Sequence, residues 1–208
     1  MKLRKKPKRI LISIITIIIL VISAFVIYKM FFAKNEVQET KILHTIKKYG
    51  YTLKDSKSDK YKKMFYELEK ILKEDPVNEE KYVKKITQMF IYDFYSLSDK
   101  TAKTDVGGTD FIYSEILDNF LENAEDTYYK YVESDIYNQR KQKLPTVDKI
   151  TIESCEETSF AYNEETDEKA YEVKVSWTYT DDSFKDYQNE ATLVFIHNDI
   201  RLDLVELK

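Results

Sequence analysis

Hydrophobic and polar positions along the chain fall into three regimes. Residues 10–28 hold no charge and are mostly aliphatic, interrupted only by Ser13, Thr16 and Ser23. Farther on, apolar residues recur at spacings of three and four. Tyr61, Met64, Phe65, Leu68, Ile71 and Leu72 are separated by Lys62, Lys63, Glu67, Glu69 and Lys70, which predicts a helix begun by Ser58 and ended by Asp75-Pro76. Asn78 opens a second helix, with Glu79 and Glu80 suited to its positive end and Tyr82, Val83, Ile86, Met89, Phe90 and Phe94 on its inner face, reaching about Leu97. A third is predicted from about Thr109 to Val132 through Ile112, Ile116, Leu117, Phe120, Leu121, Ala124, Tyr128 and Tyr131. After Leu144-Pro145 the period drops to two. Ile150 opens a strand toward Thr158, followed by an acidic turn at 163–167. Tyr171, Val173, Val175, Trp177 and Tyr179 then alternate with Glu172, Lys174, Ser176 and Thr178. Residues 191–196 are apolar on both faces, residues 200–207 alternate again, and His197-Asn198-Asp199 reads as the hairpin turn between them. Helices first and neighbouring strands last predict an α+β domain, a C-terminal antiparallel sheet with its apolar face covered by three helices.

The run at 10–28 reads as a membrane span, since nineteen helical residues reach about 28 Å. Tyr28, Lys29, Phe31 and Phe32 supply an interfacial belt. A cleaved secretory signal is the competing reading, but its apolar core runs about 7–15 residues. Neither Ile22-Ser23-Ala24 nor Phe31-Phe32-Ala33 makes a good cleavage site, and no cysteine follows closely enough for a lipoprotein. The expected organisation is a basic leader at 1–9, a transmembrane helix at 10–32, a membrane-proximal linker or short helix at 33–57, and an α+β domain at 58–208. The short helix rests on Ile42, Leu43, Ile46 and Tyr49 and would end at Gly50.

Charge orients this arrangement. Lys2, Arg4, Lys5, Lys6, Lys8 and Arg9 precede the span, whereas only Lys29 and Lys34 closely follow its uncharged core. That asymmetry predicts a cytoplasmic N-terminus and a domain outside the cell membrane. Residues 34–208 hold 26 cations and 37 acids, a formal −11. Such a surface repels the phosphate backbone, so direct nucleic-acid binding is not expected, and the leader finds its partner in anionic lipid.

Three glycines in 208 residues are too few for a dinucleotide fingerprint. Gly107 and Gly108 lie in the longest polar break, where positive φ or close backbone approach is expected. As a phosphate cradle that loop lacks a leading strand and a following Lys-Ser/Thr. His44 and His197 are far apart in sequence, and Cys155 has neither a Cys partner nor a nearby basic cluster, so no metal site and no nucleophile are expected. Asp105, Asp110, Glu115 and Asp118 form a carboxylate run of the kind expected by chance in so acidic a domain. No catalytic or cofactor-binding residue is identified. The unusual feature is seventeen tyrosines. Tyr128, Tyr129 and Tyr131 are the candidate interface, read against the alternative that Tyr replaces Phe in the core. Trp177, central in the alternating strand, is the expected core anchor.

The leader, the span at 10–28, the helices starting at Ser58, Asn78 and Thr109, and the strand Tyr171–Thr180 with its partner Ala191–Ile196 resemble a known arrangement. It is that of the inner-membrane scaffold family of type IV secretion and conjugation systems, whose outer domain is nuclear transport factor 2-like (cystatin-like). The resemblance implies a curved sheet around helices and a non-enzymatic, cofactor-free, homo-oligomeric assembly subunit of a conjugative DNA-transfer channel. Its expected partners are the lipid bilayer, itself and other secretion-channel membrane subunits. Two departures are the scarcity of apolar residues between the span and Ser58 and the lack of a motif that maps onto a partner site. The abundance of Lys, Ile, Asn and Tyr resembles proteins of low-GC Gram-positive bacteria. The alternative is a tethered extracytoplasmic ligand-binding or sensory domain of the same fold. A degenerate enzyme of that superfamily is disfavoured by the lack of a His/Asp constellation.

Overall fold

The computed structural model describes residues 18–19, 21–23, 41–137, 139–162 and 165–208. The chain forms two compact units, 1–40 and 41–208. In the first, Ile18, Ile19 and Val21–Ser23 are helical and exposed. The leader and the rest of the expected span lie outside the described residues. Among the described residues no helix is long and apolar enough to cross a membrane.

The second unit begins where a short helix was expected, and the chain there is a hairpin. Strands β1 (Ile42–Ile46) and β2 (Tyr51–Lys54) pair antiparallel. Gly50 has φ +73°, and Tyr49 and Gly50 both donate to the Ile46 carbonyl, so the chain reverses instead of winding on. The spacing of Ile42, Leu43, Ile46 and Tyr49 suits either period over so few residues. Burial decides for the hairpin, which places Ile46, Tyr49, Tyr51 and Leu53 in the core and leaves Ile42 and Leu43 outside. The folded unit therefore starts at Lys41, earlier than the expected 58.

Helix α1 (Asp59–Leu72) is capped by Ser58, whose hydroxyl accepts from the Tyr61 amide at 3.3 Å. Helix α2 (Glu79–Tyr95) is capped by Asn78, which accepts from the Lys81 amide at 2.8 Å. Over its last seven residues α2 is buried on every side, including Asp93, and is the central helix of the unit.

The third helix is shorter than expected. The chain makes 3-10 turns at Thr109–Phe111 and Ser114–Ile116, and only Leu117–Asp126 is α-helical, here α3. Between the turns Ile112 bridges Leu204 of the sheet edge, and the Tyr113 amide donates to the Leu204 carbonyl at 2.9 Å. A residue whose amide bonds to a strand cannot also serve a helical turn.

Strands β3 (Val147–Tyr162), β4 (Glu165–Tyr179), β5 (Glu190–Asn198) and β6 (Arg201–Leu207) form one antiparallel sheet in that order. Val173 pairs with Leu193, Val175 with Ala191, and Phe195 with Leu204, so one face carries the buried apolar side chains. That face packs against the helices, as an α+β layer must. Trp177 is 3% exposed, with its ring 4.3 Å from that of Tyr95, as expected of a core anchor.

Two turns differ from expectation. Asn198 pairs with Arg201, so Asp199 (φ +56°) and Ile200 make the turn while His197 stays in β5. Residues Glu165–Asp167 of the expected acidic turn belong to β4, and the two long strands pair out to Tyr162 and Glu165. Because β5 pairs with β4 only from Tyr171 to Ser176, the ribbon beyond Tyr171 runs on as a two-stranded arm.

Candidate interaction surface

The polar loop after α2 is tied to a buried carboxylate. Asp93 receives Lys57 Nζ at 2.6 Å on both oxygens, Lys100 Nζ at 2.8 Å on Oδ1 and the Gly108 amide at 2.8 Å on Oδ2. Burial alone would raise its pKa, but Lys100 and Lys57 outweigh that and hold the carboxyl far below the usual range. The two glycines follow from this knot. A Cβ on Gly107 would lie 2.1 Å from the Asp93 carbonyl oxygen, and Gly108 has φ +75° with the Phe90 ring 2.6 Å from where a Cβ would stand. Both amides are spoken for, Gly107 by the Tyr129 hydroxyl and Gly108 by Asp93, so neither is directed at a phosphate.

The three candidate tyrosines separate. Tyr129 is fully buried, and its hydroxyl donates to the Phe94 carbonyl at 2.6 Å while accepting from Gly107 at 3.1 Å. It pins the glycine loop to α2 and has no surface to offer a partner, so it leaves the interface set. Tyr128 is half-exposed, edge-on to Phe94 and Tyr95, and its hydroxyl donates to the Gln188 side chain. Tyr131 is 77% exposed, with Lys130 Nζ 5.6 Å from its ring centre.

Residues Ile136 (59% exposed) and Tyr137 (67% exposed) extend this apolar character along the segment between α3 and β3. Its described residues form no regular secondary structure but are held by several hydrogen bonds. The Arg140 side chain is only 6% exposed. Its guanidinium donates to the carbonyls of Lys100 at 2.7 Å, Ser98 at 2.8 Å and Glu133 at 3.2 Å. The Arg140 amide donates to Asp135 Oδ1 at 2.8 Å, the Asp135 amide to the Thr101 carbonyl at 2.7 Å, and Gln142 brackets Tyr131 and Glu133. Residues 127–137 and 139–146 thus present exposed aromatic and aliphatic side chains from a backbone tied down at Asp135, Arg140 and Gln142. The sequence pattern missed Ile136, Tyr137 and Arg140 because they follow no period. A compositional signal was present: of 33 cations only four are Arg, and just two, Arg140 and Arg201, lie after residue 33. Both span several carbonyls at once, which a planar fork does and an ammonium does not. Arg201 joins β6 to the Tyr49 carbonyl (2.9 Å) and the Asp110 carbonyl (2.7 Å), and stands 4.6 Å over the Tyr51 ring.

The remaining candidates stay apart. His44 pairs with Glu69 at 2.9 Å, and His197 Nδ1 with Asp167 at 2.9 Å. Asp105 accepts from the Thr101 amide. Cys155 is half-buried in β3, and burial pushes its thiol up, away from the thiolate a nucleophile needs. Among the described residues no group of three or more His, Cys, Asp or Glu is arranged to hold a metal ion. A cleft of about 230 Å³ opens beside Tyr128, lined by Phe94, Phe120, Ala124 and Leu207. The buried Tyr95 hydroxyl and Trp177 indole N–H make no hydrogen bond of normal geometry, but each faces a hydroxyl, Tyr95 that of Tyr128 and Trp177 that of Tyr179.

No protein-family model, no curated protein and no solved structure matches this chain.

Proposed function

We propose that the chain is a membrane-anchored, non-enzymatic assembly subunit that works through protein contacts outside the cell, of the kind that builds type IV secretion channels. The observation that carries the reading is the exposure of Tyr131, Ile136 and Tyr137 on a segment tied down through Asp135, Arg140 and Gln142. Large apolar side chains on an immobilised backbone lose little conformational entropy on docking, which suits a standing protein interface. The acidic outer domain and the uncharged run after a basic leader are the sequence features that accord with it.

Cysteine cross-linking of the full-length protein in its own membrane tests the reading. Single cysteines at Tyr131, Tyr137 and Tyr128, in a Cys155→Ser background, should give cross-links to membrane proteins or to a second copy. Failure to cross-link from these and every other exposed position would sink it. A tethered ligand-binding domain is the second reading, favoured by the cleft beside Tyr128. Stoichiometric binding of a small molecule by a protein that forms no cross-links would put that reading in its place.

A further inference from the structure

Charge is distributed so that one part of the outer domain complements another. Residues 127–146 carry Lys130, Arg140, Lys141 and Lys143 against Glu133 and Asp135, a formal +2. Arg140 and Asp135 are turned to each other and to backbone, so the outward cations are the three lysines, among the exposed rings. Residues 147–179, the β3–β4 ribbon, carry nine acids and three cations, a formal −6, more than half the excess of the whole outer region. On its arm Glu165 and Glu168 are exposed, with Glu156 and Glu157 exposed at its root. Among the described residues no ion pair joins the loop to the ribbon; Lys143 instead lies 3.9 Å from Asp181.

We propose that the cationic aromatic loop 127–146 docks on the acidic β3–β4 arm of a second copy of the chain. The inference rests on the assembly reading above and names its partner and its two surfaces. The contact runs through side chains and not by strand addition. Strand β3 is the free edge of the sheet, but three register shifts against β4 bend it, which discourages another strand from pairing along it. The two surfaces differ, so the contact is either exchanged reciprocally in a two-fold dimer or repeated head-to-tail, which extends copies held in one membrane plane into rows, or into a ring where the rotation closes. Confinement to the plane raises effective concentration, so a contact too weak to hold in dilute solution holds there.

The test uses full-length protein in membranes, all chains carrying Cys155→Ser. One population bears Tyr137→Cys and the other Ser159→Cys. Mixed cells should give a disulfide-linked dimer that neither population gives alone. Lys130→Glu with Lys141→Glu should cut its yield about tenfold, as should Glu165→Lys with Glu168→Lys, and the four changes combined should restore it. Protease resistance of each variant in detergent checks folding, which exposed charges of this kind should leave intact. Two results overturn the proposal: no mixed dimer, or loss on loop reversal that arm reversal fails to rescue. The latter is the outcome if the loop binds an anionic lipid surface. Cross-links from other exposed positions, with none between loop and arm, would leave the assembly reading standing and this one refuted.

Discussion

Three side chains carry most of the single-residue consequences. Trp177 is buried in the core with its ring tilted 34° to that of Tyr95. Its replacement by Ala should cost about 3–5 kcal/mol, and by Phe distinctly less, because a phenyl ring keeps most of the buried aromatic area. Chemical denaturation of the 41–208 unit measures both, and equal losses would show that shape contributes nothing there. Asp93 is the second. Asp93→Ala strands Lys100, whose side chain is 4% exposed, and should cost about 3–5 kcal/mol. The pH dependence follows from the same carboxyl. Its folded pKa lies below the unfolded value, so its contribution is complete above about pH 4 and is lost as pH falls toward the folded pKa. The denaturation midpoint should drop between about pH 4 and pH 2 in the native protein and drop less steeply in Asp93→Asn. Identical slopes would remove the knot from the acid response. Arg140 is the third, and its effect is local. Arg140→Lys keeps the charge but loses the fork, so amide exchange in 130–142 should speed up while global stability barely moves.

At the level of elements, the hairpin β1–β2 belongs to the folded core. It contributes Ile46, Tyr49, Tyr51 and Leu53, and the Tyr51 and Tyr82 hydroxyls meet at 2.5 Å across to α2. Arg201 ties its turn to β6 through the Tyr49 carbonyl. A fragment beginning at Lys41 should therefore melt cooperatively, whereas one beginning at Ser58 should expose apolar surface and bind a hydrophobic dye. Equal melting temperatures for the two would show the hairpin to be an ornament. The helix caps behave differently from the hairpin. Ser58 and Asn78 each serve one amide of a first turn, so Ala at either position should cost only about 1 kcal/mol.

The whole molecule brings together a region of 34–208 with formal charge −11 and a leader rich in cations. On the membrane-anchored reading a periplasmic or cell-surface reporter fused after Lys208 should be active, because six cations precede the uncharged run and two closely follow it. Activity of a cytoplasmic reporter at the same junction would reverse the orientation and remove the assembly proposal with it. Within the 41–208 unit, charge separation between loop and arm is a property of the folded chain as a whole. It would be invisible to any substitution scored for stability alone.

Elements whose signals are local were legible in the sequence. The apolar stripes and caps of α1 and α2, the alternation through Trp177 and the pairing of consecutive strands follow from side chains a few residues apart, and these alone set the α+β class. Tertiary structure decided the rest. Residues 42–54 became a hairpin because burying Tyr51 and Leu53 against α2 outweighs a short helical stripe. The third helix was cut short because Tyr113 bonds to Leu204, far along the chain. Tyr129 went inward while Tyr131 stayed out because the Phe94 carbonyl and Gly107 amide waited for one hydroxyl. The loop that carries the candidate surface took its form from Arg140 reaching carbonyls as much as 42 residues away. Contacts at such separations leave no period in the sequence, since nothing in a local window records which distant group will satisfy a buried donor.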